Sequence, residues 1–312
     1  MRIVSLLASA TEIVYELGLE DQLVGISHEC DYPPDAMSRP RVSRARFDPA
    51  SLSSGQIDAA VRDAMRQHGD VYEVDGDLLR RLKPDLVLTQ AVCHVCAVPT
   101  VLAEAVVRHL DRPPRVQSLD AHSVADIYES IVAVGRSAGV EDRALRRVAA
   151  LRARVDAVRG RIGGQARPRV LAIEWLDPPF VPGHWTPEMV ALAGGENLAG
   201  ETGRPSRQLA WSELSGLDPD VLIIMPCGYG LTQSLADADQ AAGHLERIAP
   251  RAIEGGRAFV VDGSAYFNRS GPRFVTGIEI LGALLHPDVF PGADLAGKAA
   301  AWHLRPSDRL TV

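Results

Sequence analysis

Leu82-Lys83-Pro84-Asp85-Leu86-Val87-Leu88 returns in form as Leu217-Asp218-Pro219-Asp220-Val221-Leu222-Ile223. In each stretch a short helix stops at a proline and an apolar run follows an aspartate. Proline lacks an N–H and disfavours helical backbone in the residue before it, so it closes the helix. The runs show no alternation of apolar and polar residues, which marks strands covered on both faces, as in parallel sheets between helices. The unit appears once in each half of the chain and predicts two α/β lobes.

Working outward, the first lobe alternates strand and helix. Ser9 predicts a capped helix over 10–19, with Glu12 in the matching position of a capping box. A strand over 22–27 is followed by a loop over 28–54 broken by Pro33, Pro34, Pro40 and Pro49. Helices over 54–68 and 76–82, a strand over 85–90, a helix over 99–110 and a strand over 115–119 complete it. Residues 123–163 read as helix with a break near Gly139. Leu145, Val148, Leu151, Val155, Val158 and Ile162 form one apolar stripe at helical spacing. Arginines off that stripe read as a solvated face. The second lobe repeats the pattern, with strands over 170–175, 221–225 and 258–262 and helices over 186–193, 212–217, 234–248 and 272–285. The expected division is 1–122, a connecting helical segment 123–166, and 167–312.

The chain has 312 residues, a formal charge of −7 and a pI near 5.7. That balance argues against a general nucleic-acid binder, which carries a basic face. No run reaches the roughly 18 apolar residues of a membrane span, so no membrane insertion is expected. The first strand starts directly after Met1, without the basic start, apolar stretch and cleavage site of a secretory signal. The expectation is a cytoplasmic chain as written, or a periplasmic or cell-surface one if a leader was trimmed.

All four cysteines follow strand-like runs: Cys30, Cys93, Cys96 and Cys227. Carboxyl ends of parallel strands line the ligand crevice of such sheets. The two-residue gap in Cys93-His94-Val95-Cys96 lets both sulfurs reach one metal or each other. Four thiolates at one cleft are the ligand set of zinc or an iron–sulfur cluster, with plain buried thiols or a redox pair as the alternatives. The expectation is that all four face the space between the lobes.

The chain resembles the periplasmic binding proteins of iron-siderophore and vitamin B12 ABC importers, most closely the B12-binding branch. The matching stretches are 2–12, 82–88, 177–180 with 194–198, and Tyr266-Phe267-Asn268-Arg269-Ser270-Gly271-Pro272-Arg273. The resemblance implies two Rossmann-like α/β lobes joined by one long helix, with a ligand clamped between them and little hinge motion. It implies a non-enzymatic substrate-binding protein for a corrinoid or related metal chelate, partnered by an ABC permease and requiring no cofactor of its own. It also implies permease-docking acids at Asp77 and Glu213. Both also fit the first turn of a short helix, where the dipole favours a carboxylate.

Trp175, Phe180, His184 and Trp185 cluster after the first strand of the second lobe, Tyr229 follows Cys227, and Tyr266 follows a third strand. A flat macrocycle needs such stacking surfaces with a few polar groups at its rim. His28, Glu29 and Cys30 sit at a strand end of the first lobe. His28 and His184 are candidate axial ligands to cobalt or iron. No nucleophile elbow, phosphate loop or dinucleotide fingerprint occurs, and no acid–base pair can be assigned. The rival reading is a cytosolic metal- or iron–sulfur protein, or an enzyme, using the cleft cysteines.

Overall fold

The structure is a computed structural model that describes residues 1–49, 52–92 and 97–304. The first lobe holds four parallel strands in the order Leu23–Ile26, Ile3–Ser5, Leu86–Thr89, Arg115–Ser118. The second holds five: Glu196–Asn197, Arg169–Ile173, Val221–Ile224, Ala258–Val261 and Ala299–Ala301, the last antiparallel to its neighbour. Helices in chain order are α1 (Ala8–Glu16), α2 (Ser54–His68), α3 (Gly76–Leu82), α4 (Thr100–Val107), α5 (Val124–Ser137), α6 (Glu141–Ile162), α7 (Thr186–Leu192), α8 (Trp211–Leu214) and α9 (Leu231–Gln240). Helices Ala242–Ile248, Pro250–Glu254, Gly263–Tyr266 and Phe274–Leu285 follow them.

The sequence echo is an echo in three dimensions. Lys83 and Asp218, each ahead of its proline, both take left-handed backbone, at φ 47° and 44°. Asp85 Oδ2 then accepts the N–H of Arg2, and Asp220 Oδ2 that of Arg169, both at 2.8 Å. Each aspartate ties the start of its own strand to the start of the neighbouring one.

Residues 123–163 form two helices, not one. Gly139 (φ 72°) reverses the chain between α5 and α6. The two then pack so closely at Gly135 that a Cβ there would overlap the Cβ of Ala144. The linker between the sheets is therefore α6. Its buried face is Ala144, Val148, Leu151, Val155, Val158 and Ile162. Leu145, expected in that stripe, is 50% exposed and Ala144 takes its place, because only a small residue fits under α5.

One apolar core runs through both lobes. It joins Ile3, Leu86 and Leu88 of the first sheet, Val148 to Val158 of α6, and Val170, Ala172, Val221 and Ile223 of the second sheet. The opposite sheet faces close separate cores around Val4 and Val87, and around Leu171 and Leu222. Alternate residues of each strand thus serve two cores, which is why the strands read as unbroken apolar runs.

Three local expectations need correction. Ser9 does not cap α1. The N-cap is Leu7, without a side-chain bond, and Ser9 Oγ lies 3.3 Å from Ser270 Oγ of the other lobe. The strand expected over 170–175 stops at Ile173, and Trp175–Leu176 turns into a hairpin with Pro179–Val181. The helix expected over 234–248 is two, Leu231–Gln240 and Ala242–Ile248.

Candidate functional site

The carboxyl ends of the two parallel sheets lead into the segments where the lobes meet, and two polar contacts join them there. In the first, Glu12 of α1, only 4% exposed, receives Arg273 through Nη2 (2.6 Å) and Nε (3.1 Å). Arg269 Nη1 lies 3.5 Å from the same carboxylate. Arg269 also grips Asp31 with both Nη atoms, at 2.9 Å for Nη2, and donates to the Glu29 carbonyl at 3.4 Å. Burial opposes the Arg269 charge, but the bonds to Asp31 outweigh it, and the guanidinium holds its proton more tightly than a free one. Arg273 stacks 4.0 Å above the Tyr32 ring and 5.7 Å from that of Tyr266.

In the second contact the amino end of α2 docks on the second lobe. Ser53 caps the helix in a capping box with Gln56. Ser54 Oγ donates to the buried Asp237 Oδ1 at 2.7 Å. At Gly55 a side chain would collide with Asp177 Oδ2. Two carboxylates therefore sit at the positive end of a helix dipole, where negative charge is favoured. Burial pushes the Asp237 carboxyl up, the Ser54 bond opposes this, and Asp177 adds to it.

The aromatic candidates divide. Trp175 and Tyr229 meet with ring centres 5.2 Å apart beside the second contact, and Trp175 Nε1 donates to the Asp177 carbonyl. Tyr229 is nearly buried, and burial pushes its pKa up to about 12. Phe180 is the cross-strand partner of Trp175. Trp185 departs from the ligand-facing expectation: it lies in the shared core with Nε1 bonded to the Phe267 carbonyl. Tyr266 packs against the same core.

Among the strand-end polar residues, His28 Nδ1 is 2.9 Å from Ser43 Oγ, and Nε2 is 3.2 Å from Glu29 Oε1. The imidazole beside it holds the Glu29 carboxyl below the usual carboxylate range. An axial-ligand role for His28 would first require release from Ser43. His184 Nδ1 is buried without a partner, and its ring faces His122 at 5.6 Å. Glu174 is half-buried at the end of its strand. Burial pushes it up to about 7, against a hydrogen bond from Ser206.

Of the two described cysteines, Cys30 departs from the expectation of a cleft-facing thiol. Cys30 is fully buried in the shared core, 3.0 Å from Thr11 Oγ1 and 3.5 Å from Ser27 Oγ. Burial pushes its thiol up, away from the thiolate a metal requires. Cys227 is half-buried and unpaired, its N–H donating to the Glu174 carbonyl at 2.9 Å. Cys93 and Cys96 lie outside the described residues. Among the described residues no three His, Cys, Asp or Glu side chains form a metal cluster.

Asp77 and Glu213 are both exposed, in the first turns of α3 and α8. Asp77 pairs with Arg80 at 2.5 Å, and Glu213 Oε2 accepts the Ala210 N–H at 2.6 Å. No helix among the described residues is long and apolar enough to cross a membrane.

Two lobes on one linker helix, with strand ends meeting across polar contacts, match the periplasmic binding protein family over residues 3–247. The chain belongs to that family. It is a substrate-binding protein of the ABC-importer type and not an enzyme. One relative, the uncharacterized ABC transporter substrate-binding lipoprotein YvrC of Bacillus subtilis, is 26% identical over 93% of this chain and 81% of its own. The vitamin B12-binding protein of Vibrio cholerae is 23% identical over 71% of this chain and 69% of its own. In fold the chain is similar to a periplasmic heme binding protein from Pseudomonas aeruginosa. The TM-score is 0.72 at 22% identity, covering 97% and 99% of the two chains. It is similar as well to the vitamin B12 binding protein BtuF of Vibrio cholerae, at TM-score 0.66 and 21% identity, covering 93% and 98%.

Proposed function

We propose that this chain binds a corrinoid or closely related planar metal chelate between its lobes and presents it to an ABC permease. The observation that carries this is the chemistry around the Trp175–Tyr229 pair. The polar groups beside it are acceptors and carboxyls: Asp177, Asp237 and Glu174. The nearest buried guanidiniums, Arg269 and Arg273, are already committed to Glu12 and Asp31. Such a surface suits a ring whose rim carries neutral carboxamide arms, which donate hydrogen bonds. It repels the propionate carboxylates of haem, so the charge pattern favours a corrinoid over haem. Asp77 and Glu213, exposed on the two lobes, are the residues we assign to permease contact.

Thermal-shift and absorbance titration with cobalamin, cobinamide, haem and ferric siderophores tests the proposal. A corrinoid at a hundred times its dissociation constant adds roughly 2.7 kcal/mol of stability. Stabilisation by haem alone, or by none of these, overturns it.

A further inference from the structure

His122 follows the last strand of the first sheet, and His184 follows the hairpin of the second lobe. Their rings face each other with centres 5.6 Å apart and planes inclined by 42°. We propose that His122 and His184 form a two-imidazole site for a divalent transition-metal ion, spanning the two lobes.

The first support is distance. A metal about 2.1 Å from each ring nitrogen sits about 3.2 Å from each ring centre, so two imidazoles at a tetrahedral angle have centres about 5.2 Å apart. The observed pair lies close to that. The second is an unsatisfied atom. His184 Nδ1 is buried and has no hydrogen-bond partner, a state that costs free energy unless something occupies it. The third is backbone strain. His184 has φ 51°, left-handed backbone that a residue with a Cβ adopts at a cost. It is held there by its N–H to the Arg204 carbonyl (2.7 Å) and by its carbonyl to the Gly203 N–H (3.0 Å). Non-glycine residues held this way cluster at functional sites. His122 is exposed and gives the ion a way in. The surroundings are ordered: Asp126 Oδ2 accepts the His122 backbone N–H at 2.9 Å, and the Trp185 ring lies 5.9 Å from that of His184.

The probe is cobalt(II) added to chelator-stripped protein, with no corrinoid present, so the outcome is independent of the proposed ligand. Cobalt separates the histidine pair from the cysteines, because thiolate ligation gives an intense near-ultraviolet charge-transfer band and imidazole ligation does not. The expected result is uptake of one equivalent with ligand-field absorption and no charge-transfer band. His122→Gln and His184→Gln should each weaken uptake at least tenfold, and His68→Gln, on the exposed end of α2, should leave it unchanged. His122→Gln alters an exposed side chain and keeps the test open if His184→Gln misfolds. No stoichiometric uptake, uptake with the thiolate band, or uptake unchanged in His122→Gln overturns the proposal.

Discussion

The Glu12 and Ser54 contacts between the lobes are built from different chemistry on different foundations. The Glu12 contact joins α1 to the start of the helix Phe274–Leu285, and residues of both lie in the core that runs through α6. It is ionic, buried and multiply bonded. The Ser54 contact joins α2 to α9, and within α2 only Ser54 and Ala64 are buried. It is one buried hydroxyl–carboxyl bond, with a longer exposed one from Arg62 Nη2 to Gln208 Oε1 at 3.4 Å, carried on a mostly exposed helix. The difference assigns roles. The Glu12 side belongs to the rigid frame, and the Ser54 side is where the crevice opens to admit a ligand. The predictions below test that asymmetry, from the largest effect to the smallest.

Glu12→Ala should be the most damaging single change at either contact. It strands Arg273, while Arg269 keeps Asp31, and breaking a buried ion pair from one side costs about 3–5 kcal/mol. Urea denaturation of the purified variant measures this. A loss below 1 kcal/mol would remove the ionic contact from the frame and with it the contrast.

Glu174 comes next, through pH. Burial raises its folded-state pKa to about 7, above the ordinary glutamate value of 4.5. Between those values the folded chain keeps a proton that the unfolded chain has released, so stability falls as pH rises through this window. The full shift corresponds to roughly 3 kcal/mol, and partial exposure reduces the expected change to about 2. Glu174→Gln should flatten the curve of stability against pH between 4.5 and 7. Retention of the wild-type slope would assign it to another group, and Asp237 is the one to examine because burial raises it as well.

The two contacts also differ in how far the sequence announced them. The paired strands were legible because Pro84 and Pro219 punctuate them and because two-faced burial leaves an unbroken apolar signal. The helix break at Gly139 was legible too. The frame contact was misread. Ser9 and Glu12 have the spacing of a capping box, and nothing local says that both instead reach residues about 260 positions away, at Ser270 and Arg273. The cysteines misled for a related reason. Strand ends line a crevice, but Cys30 turns back beneath its own loop and bonds to Thr11, a contact set by packing rather than topology. His122 was missed altogether, since a lone histidine after a strand carries no signal until the fold brings another beside it. Ser54 was placed in the right helix, but its partner Asp237 comes from the opposite lobe and cannot be read from spacing; Trp175 meets Tyr229 within its own lobe, on a hairpin the sequence did not announce.

Ser54→Ala carries the smallest and most discriminating prediction. The bond it removes is one hydroxyl to one carboxyl, worth about 1 kcal/mol net. Asp237 then loses its donor, but the contact lies on the side that opens, so water can replace it and the cost stays near the lower end. Stability should therefore fall by about 1 kcal/mol while the association rate for ligand rises, because a closed-state bond no longer has to break before entry. Stopped-flow binding of the chelate identified by titration measures the rate. The same substitution should also shift the Asp237 carboxyl further upward, since the Ser54 bond is what opposes its burial. If Ser54→Ala costs as much as Glu12→Ala, or slows ligand entry, the mouth and frame assignments are reversed.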